Sequence, residues 1–572
     1  MPNPSTTSDR NASKKGPRGT GHAIHLPVLT GPHNASGQGV AEGAERLRRR
    51  RRLRLFVLLG VHVLIAVHLT HWLVTGESIG RFVLSDAMEA LELGRIGPGA
   101  LLFAAAMSVT LVAGRWLCGW ACHMGALQDG CAWVLRRLGL RPRPFRTHVL
   151  GYVPLITAFL MFAWPTLRRV VFAPLADHLP FVVPSWLASH APAPAWQWQL
   201  TSEHLWRGLP SAAVAIPFLL VCGGATVFFL GTRGFCRYGC PYGGAFSAAE
   251  PIAPMRVTVD LAICDGCGRC TAACNSGVTV HEEVRAHGRV ISSGCQRSLD
   301  CIAVCPHQAL RLGVAKPAWM ADGAILDHHR FDTSLGEEIL LGSAFLVAFL
   351  ASRGLYGIIP LFFALGIAIC VTSLAWHLWR TARTGVGSLC GMALRKGGQW
   401  TLAGSVSIVA GGILGGIVLH SFGIQACLWH AGRLDDRIVA PRSAAFSSLP
   451  SILGPADEKV AQEALDWYLT AGSLGKGGWG LAGTPAADVR VGWLRLLLRD
   501  YRGAADALCA AIPWAEDPDR LVADLARVLL LADDPDGAVQ ALEAFIGTGG
   551  ECEECRRLLR AMSANTRERV AP

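Results

Sequence analysis

Cysteine spacing dominates the middle of this chain. Residues 263–277 read ICDGCGRCTAACNSG, which puts Cys264, Cys267, Cys270 and Cys274 in a C-x2-C-x2-C-x3-C run. Soft, polarizable thiolates suit iron, and two-residue gaps let one tight turn present three sulfurs to three corners of an iron–sulfur cube. A second run, GCQRSLDCIAVCP at 294–306, keeps the register with Cys295, Ser298, Cys301 and Cys305-Pro306, so serine takes its second ligand position. In paired runs of this kind the fourth cysteine serves the other cluster. One cluster is therefore expected on Cys264, Cys267, Cys270 and Cys305. The second is left with Cys295, Cys301 and Cys274, and with Ser298 or nothing on its last iron. A three-iron cluster, a labile four-iron cluster and a serine-ligated cluster all fit that set. A disulfide scaffold or structural zinc would not call for eight positions in one register.

Two shorter motifs carry further thiols. Residues 115–129 read RWLCGWACHMGALQD and residues 233–244 read RGFCRYGCPYGG. A C-x3-C spacing puts Cys118 with Cys122, and Cys236 with Cys240, on one side of a helix. Each pair ends an apolar stretch on the same expected side, so the four thiols are expected to converge at the membrane face in a redox or metal role. Cysteines in membrane helices otherwise serve as small packing residues.

The elements that must position these groups are membrane helices. With 572 residues, 51% hydrophobic content and mean hydropathy +0.35, the chain reads as a mainly α, polytopic membrane protein. Seven spans are expected near 54–75, 98–120, 148–170, 210–232, 336–353, 356–378 and 401–422. The net charge of +11 does not point to nucleic acid. Its basic residues flank the apolar runs, where they report orientation. The Arg48–Arg52 run, Arg136 to Arg146, and Arg380 to Lys396 would all be cytoplasmic, as would the cysteine-rich insert at 251–316, whose 19-cysteine chain implies a reducing compartment for that part. Residues 1–52 read as a disordered basic cytoplasmic tail without a cleaved signal peptide. The four-helix region 53–250 carries the two C-x3-C motifs, and three more spans fill 335–422. His62, His68, His71 and His420 lie in spans, where quinol or haem chemistry competes with simple hydrogen bonding. There is no C-x-x-C-H for attached haem.

Past residue 455 the composition turns rich in Ala, Leu, Asp and Arg with helical periodicity. Gly503-Ala504-Ala505-Asp506-Ala507-Leu508 recurs as Gly537-Ala538-Val539-Gln540-Ala541-Leu542, a 34-residue period. Residues 455–565 thus read as a tetratricopeptide-like repeat domain that binds a protein partner, outside the cell membrane if the span count is odd. Cys552 and Cys555 suit a disulfide there or a weak metal pair.

Residues 98–315 resemble the membrane-bound polyferredoxins of the NosR/NapH type. The likeness rests on R-x2-C-G-W-x-C-x2-G-A-L-Q at Arg115 to Gln128, F-C-R-Y-x-C-P-x-G at Phe235 to Gly243, and the ferredoxin cysteines. It implies a bacterial inner-membrane protein with an inserted α+β two-cluster ferredoxin domain, carrying electrons in quinol-linked respiration or supporting metalloenzyme maturation. Two departures stand out: His123 replaces a proline of the family pattern, and Ser298 replaces a ligand. No flavin-attachment motif stands in a large external domain. The expected function is an electron carrier subunit, rather than a stand-alone enzyme, between quinol or a cytoplasmic donor and a respiratory partner. The alternative is an assembly factor whose clusters reduce a metal or disulfide.

Overall fold

The computed structural model describes residues 37–76, 83–142, 145–179, 184, 187–189, 195–201, 211–320, 333–441, 445–447, 453–515, 518–547 and 552–570. The fold is mainly helical. Six helices are long and apolar enough to cross a membrane: Gly37–Thr75, His148–His178, Ala212–Leu230, Leu335–Ser352, Leu361–Thr384 and Leu402–Asp435. The expected span at 98–120 is instead broken. Pro98–Ala113 is a 16-residue apolar helix, followed by a five-residue helix Trp116–Trp120 and then by His123–Arg137. The break falls at Gly114, where an added Cβ would stand 2.6 Å from Arg297 Nε, so the chain turns under the ferredoxin segment rather than running straight on. Pro98–Ala113 nonetheless joins the two ends of the bundle.

The first helix begins at Gly37, well before the expected tail boundary at residue 52; residues 1–36 of that tail lie outside the described residues. Its basic stretch stays helical because the ferredoxin segment holds it. Gly43 abuts the Val304 carbonyl, Arg46 donates to the Cys305 carbonyl at 2.9 Å, Arg51 pairs with Asp300 at 3.3 Å, and Arg54 pairs with Asp129. At about 1.5 Å per residue this helix is roughly twice as long as a bilayer core is thick.

Contacts between loops sort the bundle into two ends. At the ferredoxin end, the Arg141 amide donates to the Cys390 carbonyl, tying the connection before His148 to the hairpins Ser388–Ala393 and Arg395–Trp400. At the opposite end, Arg95–Ile96 pairs with Gln197–Trp198, and the Leu481 amide donates to Tyr356 Oη at 2.9 Å. The C-terminal helices therefore stand on the opposite end of the bundle from the ferredoxin segment.

The last span extends to Asp435, past the expected end at 422, because its face at Cys427, Ala431 and Leu434 is buried by protein instead of lipid. Ala461, Leu465 and Tyr468 of helix Pro455–Ala471 cover it, and Asp435 accepts from Arg490 and Tyr468. Two helix pairs follow, Pro485–Leu497 with Tyr501–Ala511 and Pro518–Leu531 with Pro535–Gly547. Their turns match: Asp500 Oδ1 accepts from the Gly503 amide at 3.0 Å, and Asp534 Oδ1 from the Gly537 amide at 2.9 Å. Such side-chain caps satisfy amides that a helix start leaves unpaired. Cys552 and Cys555 form a disulfide at the start of the last helix.

Candidate iron–sulfur sites

The ferredoxin segment hangs on one antiparallel strand pair, Met255–Val259 with Leu310–Val314, which brings the two cysteine runs together. Gly266 and Gly268 between the first three cysteines have φ of 72° and 69°, a left-handed conformation that glycine adopts without a Cβ penalty. That turn folds the run into a loop around one cavity, lined by Cys264, Cys267, Cys270 and Cys305. The Cys270 thiol is pushed up to about 12 by burial, with the neighbouring Cys267, Cys305 and Cys264 adding to it.

Cys274 crosses to the other group. Burial, and next the nearby Cys295, push its thiol up to about 11; Cys301 is raised by burial and then by Cys295 and Cys274. Ser298 is buried in the same loop between Arg297 and Leu299, which have φ of 53° and 60°. The structure thus brings together both expected sets, Cys305 with the first three cysteines and Cys274 with Cys295 and Cys301. Among the described residues no three His, Cys, Asp or Glu side chains gather tightly enough for a single metal ion. One zinc would hold its sulfurs about 2.3 Å from a common point, whereas a cube takes each sulfur on a different iron and needs a wider cradle. The donor sets therefore fit clusters better than zinc.

Arg297 is fully buried behind this loop, and the neighbouring Cys295 and Glu250 favour its charged form. It also donates to the Ala113 carbonyl at 3.2 Å, Glu250 Oε1 at 2.6 Å and the Met255 carbonyl at 3.0 Å. One side chain thereby ties the second cysteine group to the end of the Pro98–Ala113 helix. Asp300, equally buried, accepts from Arg51 and from Asn275 at 3.5 Å. Neither residue was picked out by spacing, since both look like ordinary surface charges in the sequence.

The four remaining thiols also converge, but not by the expected geometry. Each C-x3-C straddles a helix break. Cys118 lies in Trp116–Trp120 while Cys122 N-caps His123–Arg137; Cys236 lies in Gly234–Tyr238 while Cys240 N-caps Pro241–Ala249. Proline at the first helical position starts a helix readily, and the residue before it is driven to extended backbone, as at Cys240 with ψ of 111°. Cys122 follows suit at ψ 121° with His123 in that place. Cys236 is within electrostatic reach of Cys122, Cys240 and Cys118. The Cys240 sulfur accepts from the Gly243 amide at 3.4 Å. Two helix N-termini, both favourable to negative charge, thus point at one thiol group.

This group is deeper than the face where it was expected. Cys122 and Cys240 pack against Met124, Cys222 and Phe235. The Tyr242 ring, next to the Cys240 turn, lies 5.6 Å from that of Phe362, near the start of Leu361–Thr384 at the opposite end of the bundle. His62 turns Nδ1 toward the Leu58 carbonyl of its own helix at 2.7 Å.

The two motifs are copies, each reading R-x2-C-x3-C-x2-G from Arg115 and from Arg233, and their arginines are exchanged. Arg233 donates to the Cys118 carbonyl at 2.9 Å and approaches Gly125, whereas the Arg115 guanidinium lies over Gly243 and 3.9 Å from the Cys118 sulfur. That correspondence was legible in the spacing, and only the exchange needed the structure. The ferredoxin segment docks directly on the first copy. A Cβ on Gly119 would stand 2.1 Å from the Gln296 carbonyl, Trp120 Nε1 donates to the Arg297 carbonyl at 2.9 Å, Arg115 donates to the Ser293 carbonyl at 3.1 Å, and Arg233 bonds the Gln296 side chain.

Comparison with known proteins agrees with this division. A 4Fe-4S dicluster domain model matches residues 256–306, and a 4Fe-4S binding domain model matches twice, at 96–141 and 214–249. The ferredoxin-type protein NapH of Haemophilus influenzae is 24% identical over 259 residues, covering 44% of this chain and 77% of that protein. The methylamine utilization ferredoxin-type protein MauN of Methylorubrum extorquens is 27% identical over 260 residues, covering 42% and 79%. No solved structure matches the chain. The C-terminal helices account for none of the family-model matches, which end at residue 306.

Proposed function

We propose that this chain, a multi-pass membrane protein with 4Fe-4S domains similar to the ferredoxin-type proteins NapH and MauN, is a membrane polyferredoxin whose iron–sulfur groups form a series running from the ferredoxin segment into the membrane. Cys264, Cys267, Cys270 and Cys305 hold one four-iron cluster. Cys274, Cys295 and Cys301 hold a second, with Ser298 at its vacant corner. Cys118, Cys122, Cys236 and Cys240 hold a third redox centre inside the bundle. The bound clusters supply one-electron transfer. The protein supplies position: Arg297, two residues from Cys295, bonds the Ala113 carbonyl at the end of the membrane helix, and Trp120, Arg115 and Arg233 clamp the Cys295 loop onto the Cys118 turn.

The observation that carries this reading is the backbone contact of Gly119 with Gln296, one residue from Cys118 and one from Cys295. That contact brings the backbone beside the two cysteine groups together with no side chain between them, which suits a short path from one to the other. Arginine-rich loops at the ferredoxin end support a cytoplasmic placement for that end, and hence an external C-terminal domain. Electrons pass between quinol or a cytoplasmic donor and a respiratory partner, with the tetratricopeptide-like helices receiving a partner protein at the other end. A helical domain at the end of the bundle opposite the ferredoxin segment also suits the second reading, in which the electrons serve maturation of a respiratory metalloenzyme.

The experiment is Cys236→Ala in protein purified anaerobically. Electron flow through the membrane should be lost while the EPR signals and iron of the ferredoxin segment persist. Normal turnover would return the four thiols to a packing role.

A further inference from the structure

The C-terminal helices meet the bundle at a turn between two spans, and the loop docked there carries large apolar side chains exposed among the described residues. Helix Pro455–Ala471 runs back toward the bundle, and Ala471 at its end is buried against Leu355, Ile424 and Cys427. Leu355 belongs to the turn between Leu335–Ser352 and Leu361–Thr384, so this contact marks the level at which those spans leave the lipid. The Leu481 amide donates to Tyr356 Oη of the same turn at 2.9 Å, and Gln425 of the last span donates to the Arg353 carbonyl at 2.8 Å. Residues 472–484 are thereby held at the level of the span ends.

Within this loop Leu474, Trp479 and Leu481 are 61%, 63% and 70% exposed. Single exposed hydrophobics are ordinary, whereas three large ones between residues 474 and 481 make a patch. The loop is fixed: every backbone amide from Lys476 to Leu481 donates within the protein, at 2.7 to 3.1 Å. Amides bonded in this way cost little to take out of water, and apolar side chains gain by leaving it. The loop reads GSLGKGGWGLAGT, with no carboxylate to repel a phosphate headgroup. Its one cation, Lys476, is half-exposed beside Asp488 at 3.5 Å. Trp429, one turn beyond Gln425 on the last span, is exposed too, with the Arg433 guanidinium 4.6 Å from its ring centroid. Tryptophan and a cation at the end of a span are the pattern of a membrane interface.

We propose that the 472–484 loop is a bilayer anchor. Leu474, Trp479 and Leu481 enter the boundary between headgroups and acyl chains at this end of the bundle, and so hold the C-terminal helices at a set height over the membrane. Lipid is the occupant because the patch lies at the span ends and continues the exposed apolar surface of Leu350 and Ile358 there. The anchor needs no cluster, and it acts alike on whichever side of the membrane this end faces.

The test uses the full-length, iron-replete protein in nanodiscs of phosphatidylethanolamine and phosphatidylglycerol. A photoreactive benzophenone amino acid in place of Trp479 should capture phospholipid, and the same group in place of Arg502 should capture none. Arg502 follows the far turn of helix Pro485–Leu497. That helix leaves the span turn at Pro485, 3.6 Å from where a Gly357 Cβ would stand, and Arg490 on it already meets Asp435 at the end of the last span's helix. Capture of a protein or of nothing at residue 479, or of lipid equally from both positions, would overturn the proposal. In a second arm the discs hold phosphatidylcholine brominated on the acyl chains close to the headgroup. Trp479→Phe should lose a smaller fraction of its tryptophan fluorescence to bromine than the wild type loses, with iron content unchanged. Equal fractional quenching would overturn the proposal as well. Neither arm needs electron transfer, so both can fail while the Cys236→Ala result stands, and the reverse.

Discussion

Gly119→Ala is the sharpest probe of the seam between the ferredoxin segment and the membrane motifs. A Cβ at this position would stand 2.1 Å from the Gln296 carbonyl oxygen, and reaching 3.0 Å means a retreat of about 0.9 Å (3.0 − 2.1). Backbone stands on both sides of the contact, so no flexible side chain can swing away. Overpacking of this kind costs about 1–3 kcal/mol. The same retreat stretches the 2.9 Å bond from Trp120 to the Arg297 carbonyl, worth about 0.5–1.5 kcal/mol if lost. If the overpacking cost falls on docking alone, the docked state weakens roughly 5- to 150-fold. Neither glycine nor glutamine ligates iron, so EPR intensity and iron content should stay at wild-type levels. Rapid-mixing measurements should show slower electron transfer out of the ferredoxin segment, and hydrogen exchange should quicken at 116–122 and 292–299. Unchanged exchange in both segments together with wild-type transfer rates would refute the seam as the route.

Three further outcomes follow from the same geometry. Ser298→Cys should supply the missing thiolate and turn an oxidation-sensitive second centre into a stable four-iron cluster; iron content and spectra identical to the wild type would remove Ser298 from the vacant ligand position. Reporter fusions after residues 310 and 440 should report opposite sides of the membrane, cytoplasm for the first, and a shared side would contradict the two-ended bundle. In cluster-free protein, the thiols of Cys274 and Cys270 are raised by burial to about 11 and about 12 from 9.0. A folded-state value above the unfolded one favours the fold while the thiol keeps its proton. That stability should be full below pH 9 and fall as pH rises through 11 to 12, a loss that denaturation of the cluster-free ferredoxin segment should show and that would be absent if these thiols were exposed.

The grouping of the cysteines was legible along the chain because the expected ligand spacing is local. Cys264, Cys267 and Cys270 share one tight turn by spacing alone, and the expected crossed placement matches the structure, which sets Cys305 beside them and Cys274 near Cys295 and Cys301. Spans announce themselves too, since a bilayer demands continuous apolar sequence; six of seven expected spans are long, apolar helices. The 34-residue recurrence likewise marked the matching turns at Asp500 and Asp534. What spacing could not decide were contacts between residues far apart in the chain. Helix periodicity put each C-x3-C pair on one continuous helix, but the Pro241 start and the turn beneath Arg297 broke those helices and drew the thiols inward. Residues 37–52 looked unstructured because nothing local stabilises them, and the last span seemed to end at 422 because hydropathy cannot tell lipid from a packed helix. In each case partners supplied by another part of the chain, the Asp300 and Cys305 loop for the first and Pro455–Ala471 for the second, decided the outcome. Burial of Arg115, Arg233 and Arg297 belongs to the same class, since a charge reads as surface until the fold removes its water.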